Sequence, residues 1–205
     1  MTDINHFFLR KGVNLDITYR CTLECPACTR YYLKQAGKKI PGHDMTDDEF
    51  DIVLNKFDRF MFCGNISDPI FHPNFIGFLT KIYAAGKQAF ISTAASHKPI
   101  KWYKKAFECN PTAKWIFGID GLPHQSFAYR INQDGEKLFD VMLLAKELGL
   151  QPQWQYIIFS YNEDSVDEAR ELAKKHDIEF LLCKSSRFPN DDKWMTPTKG
   201  NRIDF

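Results

Sequence analysis

The chain has 205 residues, 44% of them hydrophobic and 26% charged, which is the make-up of one ordinary globular domain able to bury a sizeable core. Lys and Arg number 27 against 26 Asp and Glu, and the resulting net charge of +1 argues against a broad electrostatic surface for nucleic acid or anionic membrane. No apolar run is long enough to span a bilayer, and the start, MTDINHFFLRKG, lacks the basic-then-apolar order of a secretory signal, so a cytoplasmic protein is expected.

The first strand is expected over Val13–Tyr19, where apolar and polar residues alternate; Asp16 and Thr18 can then face a polar interior. Three cysteines follow it directly. Cys21, Cys25 and Cys28 lie within eight residues, whereas Cys63, Cys109 and Cys183 stand singly and read as small buried hydrophobes. A polar loop rich in Lys and Gly, Lys34 to Gly42, leads to a helix with a capping-box pair, Thr46 and Glu49, and one apolar face of Phe50, Val53, Leu54 and Phe57.

Arg59–Cys63 is a buried-type strand running into the turn Gly64 to Pro69. Pro73 suits a first helical turn, and Phe75, Ile76, Leu79, Ile82 and Tyr83 follow at helical spacing up to Gly86. Further strands are expected over Gln88–Thr93, Lys114–Ile119, Gln153–Phe159 and Ile178–Cys183. Helices alternate with them over Pro99–Glu108 and Leu138–Leu148, and from a cap at Ser165 with Glu168. His72 reads as a helix-start residue rather than a ligand.

Six strands alternating with five helices imply a parallel sheet covered by helices. A closed eight-unit barrel takes about 250 residues, so six units suit a partial barrel or an open doubly wound sheet. Residues 1–188 would form this core, and 189–205, without periodicity, an irregular C-terminal tail. Either architecture gathers the strand ends on one rim.

Cys21-Thr22-Leu23-Glu24-Cys25-Pro26-Ala27-Cys28 is a C-x3-C-x2-C loop leaving a strand. Three thiolates so spaced can each bind one iron of a four-iron cluster and leave the fourth iron open to a small molecule. Zinc is the competing reading; it wants four closed ligands, which His43 or Cys63 could complete, but no second C-x-x-C pair exists in the chain.

This loop resembles that of the radical S-adenosylmethionine (radical SAM) superfamily. The likeness continues in order along the chain: Cys63 to Pro69 resembles the superfamily's Gly-Gly-Glu-Pro turn, and Ile91-Ser92-Thr93 its third strand end. Gly118-Ile119-Asp120-Gly121 with Tyr129-Arg130 resembles its fourth, and Phe159 to Glu163 its fifth. Ala27 stands where an aromatic residue is frequent, Asp68 where Glu is, Ala94-Ala95 where Asn-Gly is, and Gly118 where Ser is.

The resemblance implies an α/β fold, a partial (βα)6 TIM-type barrel. It implies one 4Fe–4S cluster on Cys21, Cys25 and Cys28. S-adenosylmethionine would be held by Ala27, Gly64, Asn65, Asp68, Ser92, Arg130 and Asn162, with Arg130 serving either as a carboxylate clamp or as an ion-pair partner. Reductive cleavage of that cofactor to a 5′-deoxyadenosyl radical, which takes hydrogen from a substrate, is the implied reaction, with a flavodoxin or ferredoxin as electron donor. Six strands leave a barrel open, so a peptide, a protein side chain or a nucleotide-bearing molecule is expected to supply cover unless the tail does; long nucleic acid is the least expected. A non-catalytic iron–sulfur or zinc protein and a glycyl-radical activating enzyme are the alternatives.

Overall fold

The structure is a computed structural model describing residues 11–184 and 195–198, so the expected boundary at 188 and most of the tail lie outside it. Six parallel strands follow one another in chain order across one sheet: β1 (Gly12–Asn14), β2 (Arg59–Cys63), β3 (Gln88–Thr93), β4 (Lys114–Gly118), β5 (Gln153–Ile158) and β6 (Glu179–Lys184). Among the described residues β1 and β6 do not pair with each other, and the sheet is an unclosed barrel. The helices are α1 (Thr29–Gln35), α2 (Asp47–Lys56), α3 (Phe75–Ala84), α4 (Ile100–Cys109), α5 (Gly135–Glu147) and α6 (Val166–Lys175).

Strand alternation divides the side chains between two environments. Trp115 and Phe117 of β4 and Trp154 and Tyr156 of β5 are fully buried on the helix-covered face. There Phe107 of α4 meets Trp115 at 5.0 Å between ring centroids, and Phe139 of α5 meets Trp154 at 5.3 Å. The intervening residues, among them Cys63, Ser92, Gly118 and Gln155, occupy the opposite, concave face, where they line a cavity. Aromatic residues, 15% of the chain, therefore fill much of the layer between sheet and helices.

Several boundaries differ from expectation. β1 ends at Asn14 because the chain beyond it, after one more bond from the Leu15 N–H to Met61, gives its side chains to loops. α1, within and before the supposed polar loop, has no buried residue and therefore no apolar stripe to betray it. The Thr46–Glu49 capping box forms as expected, but Ser165 makes no side-chain cap, since a 3₁₀ turn over Glu163–Ser165 leads into α6. α5 starts earlier than expected, capped by the Asp134 carboxylate accepting from the Lys137 N–H at 2.9 Å. Pro73 precedes the helix rather than starting it. No helix among the described residues is long and apolar enough to cross a membrane.

His72, 3% exposed, stitches the start of α3 to the segment before α2: its Nε2 donates to the Met45 carbonyl at 2.9 Å, and its Nδ1 accepts from the Asn74 N–H at 3.1 Å. Only the neutral ring serves both bonds. Burial lowers the His72 pKa below the ordinary 6.5, so the unfolded chain takes up a proton at a higher pH than the folded one. His72 therefore contributes a loss of stability as pH falls through about 6.5. Denaturant unfolding followed above and below that pH should show this loss in the native chain and a smaller one in His72→Gln.

Candidate active site

The concave face opens at the carboxyl ends of the strands into a cavity of about 730 Å³, its mouth included. All three cysteines of the motif line it, and so does Cys63, the last residue of β2, while His43, the other residue weighed as a fourth zinc ligand, does not. Gly64, Asn65 and Asp68 line it from the turn after β2, Ser92 from β3, and Arg130 from the segment between β4 and α5. Ala27 and Asn162 are buried but not in this wall. Asn162 instead ties off its own loop, its Oδ1 accepting from the Phe159 N–H at 2.7 Å and its Nδ2 donating to the Ile157 carbonyl at 3.0 Å.

The turn is folded tightly: a Cβ on Gly64 would lie 2.2 Å from the Ser67 carbonyl oxygen, so no other residue fits without moving backbone. Asp68, at its end, is 4% exposed. Its carboxylate accepts from Thr93 Oγ1 at 2.9 Å, from the N–H groups of Ala94 and Ala95 at 3.0 and 3.1 Å, and from the Ile70 N–H at 3.3 Å. Burial raises the Asp68 pKa, and these donors oppose the rise. The carboxylate thus joins the turn to the end of β3.

Arg130 is an ion-pair partner that also faces the cavity. Its Nε donates to the Asp120 carboxylate at 2.7 Å, and that carboxylate, fully buried, also accepts from the Ile157 N–H at 2.9 Å. Burial pulls the Arg130 pKa down, but Asp120 and the Cys25 thiol more than offset this, and the guanidinium stays charged. Gly118 makes room for it: a Cβ there would come within 3.2 Å of Arg130 Nη2.

The cysteines meet the same opposed forces. Burial pushes the Cys21 thiol up to about 12, with the Asp68 charge adding to it; burial also raises Cys25, while Arg130 pulls it back. Arg30 lines the cavity beside them, its Nη1 donating to the Tyr19 carbonyl. The Arg30 Nε is buried and has no hydrogen-bond partner among the described residues. A buried N–H donor without an acceptor is costly, and here it borders thiols able to carry negative charge. Among the described residues no three His, Cys, Asp or Glu side chains converge as they would around a single ion. Sequence reasoning missed Arg30 and Gln155; for Gln155 the period-two alternation of β5, opposite Trp154 and Tyr156, was the available signal.

Next to the cavity lies a smaller apolar cluster in which Leu23, Cys25 and Ala27 of the cysteine loop pack with Tyr129, Phe159 and Met195. Tyr129 stacks on Phe159 with centroids 4.2 Å apart. Met195 comes from the supposedly featureless tail and is fully buried, its carbonyl accepting from the Ser160 N–H at 3.3 Å. Three residues on, the Thr198 N–H and hydroxyl both donate to the Glu163 carboxylate, the N–H at 2.8 Å. This segment bridges the loops after β1 and β5.

No family model and no curated protein matches the chain. Solved structures do. SuiB of Streptococcus suis bound to S-adenosylmethionine superposes with a TM-score of 0.69 at 12% identity, over 91% of this chain and 43% of that one. anSMEcpe with bound AdoMet gives 0.66 at 17% identity, over 90% of this chain and 55% of the other. Methylornithine synthase, PylB, gives 0.65 at 15% identity, over 96% and 59%. SuiB with its precursor peptide SuiA, and anSMEcpe with AdoMet and the Cp18Cys peptide, also match. The fold is therefore the partial barrel of the radical SAM enzymes, and this chain spans from 43% to 59% of the length of those three proteins.

Two outcomes follow from these contacts. Asp68→Ala leaves the Ala94 N–H without an acceptor and the Ala95 N–H with only the Thr93 hydroxyl at 3.3 Å, and should cost about 2 kcal/mol of stability, read by denaturant unfolding of the protein without cofactors. Met195→Ala removes a fully buried side chain and should weaken its seat by about 2 kcal/mol or more, read as faster amide exchange at Ser160 and Thr198.

Proposed function

We propose that the chain is the core of a radical SAM enzyme. The observation that carries this reading is the shared cavity: the three thiols of the C-x3-C-x2-C loop, the Gly64–Asp68 turn, Ser92 and Arg130 border one space. Cys21, Cys25 and Cys28 would hold a 4Fe–4S cluster. Their all-sulfur character suits iron, and the buried Arg30 Nε–H beside them suits a sulfide or thiolate acceptor. When bound, cluster and cofactor together supply an electron and a carbon–sulfur bond whose cleavage yields methionine and a 5′-deoxyadenosyl radical.

The protein's own part is binding and exclusion. Arg130, kept charged by Asp120, faces the cavity as a partner for the cofactor's carboxylate, which is a stronger recognition than a neutral donor offers. Ser92 offers a hydroxyl from the end of β3, and the turn offers backbone groups. Asp68 acts through its hold on the turn, since four donors already engage its carboxylate. Ala27 and Asn162 support the neighbouring loops, and any contact of theirs with the adenosyl part is by backbone. The Met195 segment excludes water on one side of the cysteine loop.

A peptide or protein side chain is the proposed substrate class. The open sheet leaves room for a chain to enter, and two of the similar structures carry peptides. A flavodoxin or ferredoxin is the proposed electron donor, as the resemblance implies, and a cytoplasmic setting goes with both.

Anaerobic reconstitution with iron and sulfide, followed by reduction in the presence of S-adenosylmethionine, tests the reading. The native chain should take up about four irons and release 5′-deoxyadenosine. Replacing Cys21, Cys25 or Cys28 with Ala should abolish both. Cys109→Ala should change neither, as that thiol lies against the Ala106 carbonyl at 3.2 Å, within the helical layer. Cys63→Ala should keep the iron content; a loss there would point instead to a closed four-ligand site.

A further inference from the structure

Asp16 lies just past β1 and was expected to face a polar interior; it has no place among the candidate cofactor contacts. Its carboxylate is exposed and reaches across to the turn after β2. One oxygen accepts from the N–H of Asn65 at 3.1 Å and of Ile66 at 3.4 Å, and the other from the Ser67 hydroxyl. The same stretch of chain holds the turn's far end, where the Asp68 N–H donates to the Arg20 carbonyl at 3.0 Å. Cys21 is the next residue. The segment that presents the cysteines therefore also clamps the turn.

The clamp has a direction. In a trans peptide the N–H of one residue and the C=O of the residue before it share a plane and point opposite ways. With the Asn65 and Ile66 N–H groups turned to Asp16, the carbonyls of Gly64 and Asn65 are turned away from it. Gly64 and Asn65 line the cavity, and Asp16 does not. A carboxylate on the N–H side also polarises both peptide units and makes their oxygens better acceptors.

We propose that Asp16 is a positioning residue that aims the Gly64 and Asn65 carbonyls at the amino group of the cofactor's methionine part. The proposal rests on the radical SAM reading and adds to it which residue sets amino-group recognition. That task does not fall to the Asp68 carboxylate, which is spent on the end of β3.

The test compares two ligands on the reconstituted protein: S-adenosylmethionine and its analogue with hydrogen in place of the amino group. The native chain should bind the first at least about tenfold more tightly, the worth of hydrogen bonds made by one polar group. Asp16→Ala should narrow that preference by about tenfold, the share owed to hydrogen bonds, while iron content stays at the native level. Asp16→Asn, which keeps an acceptor oxygen for the turn, should recover part of it and guards against a folding defect in the alanine variant. A purely structural role would weaken both ligands alike, and equal weakening would overturn the proposal. Full preference retained in Asp16→Ala would overturn it as well. Failure of the native chain to bind S-adenosylmethionine at all would overturn the underlying reading, and the proposal with it.

Discussion

The ion pair between Asp120 and Arg130 is the constraint on which the rest of the site depends. Asp120 is fully buried at the end of β4, where a lone carboxylate would be deprived of water, and Arg130 answers it at 2.7 Å. Removing either partner of such a pair leaves an uncompensated buried charge, which costs far more than the pair itself contributes. The two are thus fixed together, and much follows from where they sit. Asp120 accepts from the Ile157 N–H and, through its carbonyl, from the Tyr161 hydroxyl, so it ties β4 to β5 and to the loop beyond. Arg130 carries a positive charge to the cysteine loop, and the missing side chain of Gly118 leaves its guanidinium room.

Around that pair the sheet sorts residues by a period of two. On β5, Trp154 and Tyr156 go to the helices while Gln155 goes to the cavity; on β4, Trp115 and Phe117 go outward while Gly118 goes inward. A one-residue slip in either strand would put indole rings into the cavity and a glutamine into the aromatic layer. The large aromatics therefore do more than fill space: they lock the register that keeps the concave face small and polar.

How much of this could be read from the sequence depends on how local each signal is. The cysteine loop was legible because its three residues lie within eight positions, and strands and helices were legible where apolar periodicity was strong. The Thr46–Glu49 box was legible and formed; the Ser165–Glu168 pair has the same spacing but no cap, because the 3₁₀ turn ahead of it brings the chain in at another angle. Asp16 bonds a turn 51 residues away, and Met195 joins a cluster whose other members are spread from Leu23 to Phe159. No pattern within one segment encodes such meetings; they exist only once the sheet has brought the strand ends together. The same holds for Arg30, an ordinary arginine in a short helix until burial strips its Nε of partners.

The charge balance of the cavity explains why composition was silent about it. Three thiolates on one wall would repel each other strongly in a site with little water, and burial accordingly drives the Cys21 and Cys25 thiols toward their neutral forms. Cations must offset that charge, whether they come from a bound group or from the protein. The protein supplies two arginines, Arg30 and Arg130, the first just past the cysteine loop and the second from the segment between β4 and α5. Asp120 neutralises one of them only in part of its surroundings, since Arg130 still acts on Cys25. The carboxylates of Asp68 and Asp16, meanwhile, are engaged by hydrogen-bond donors of the chain itself. Two cations set against thiols need no surplus of basic residues, so a net charge of +1 over 205 residues is compatible with a strongly polarised interior. The electrostatics that matter to this chain are confined to a few ångströms at the ends of its strands.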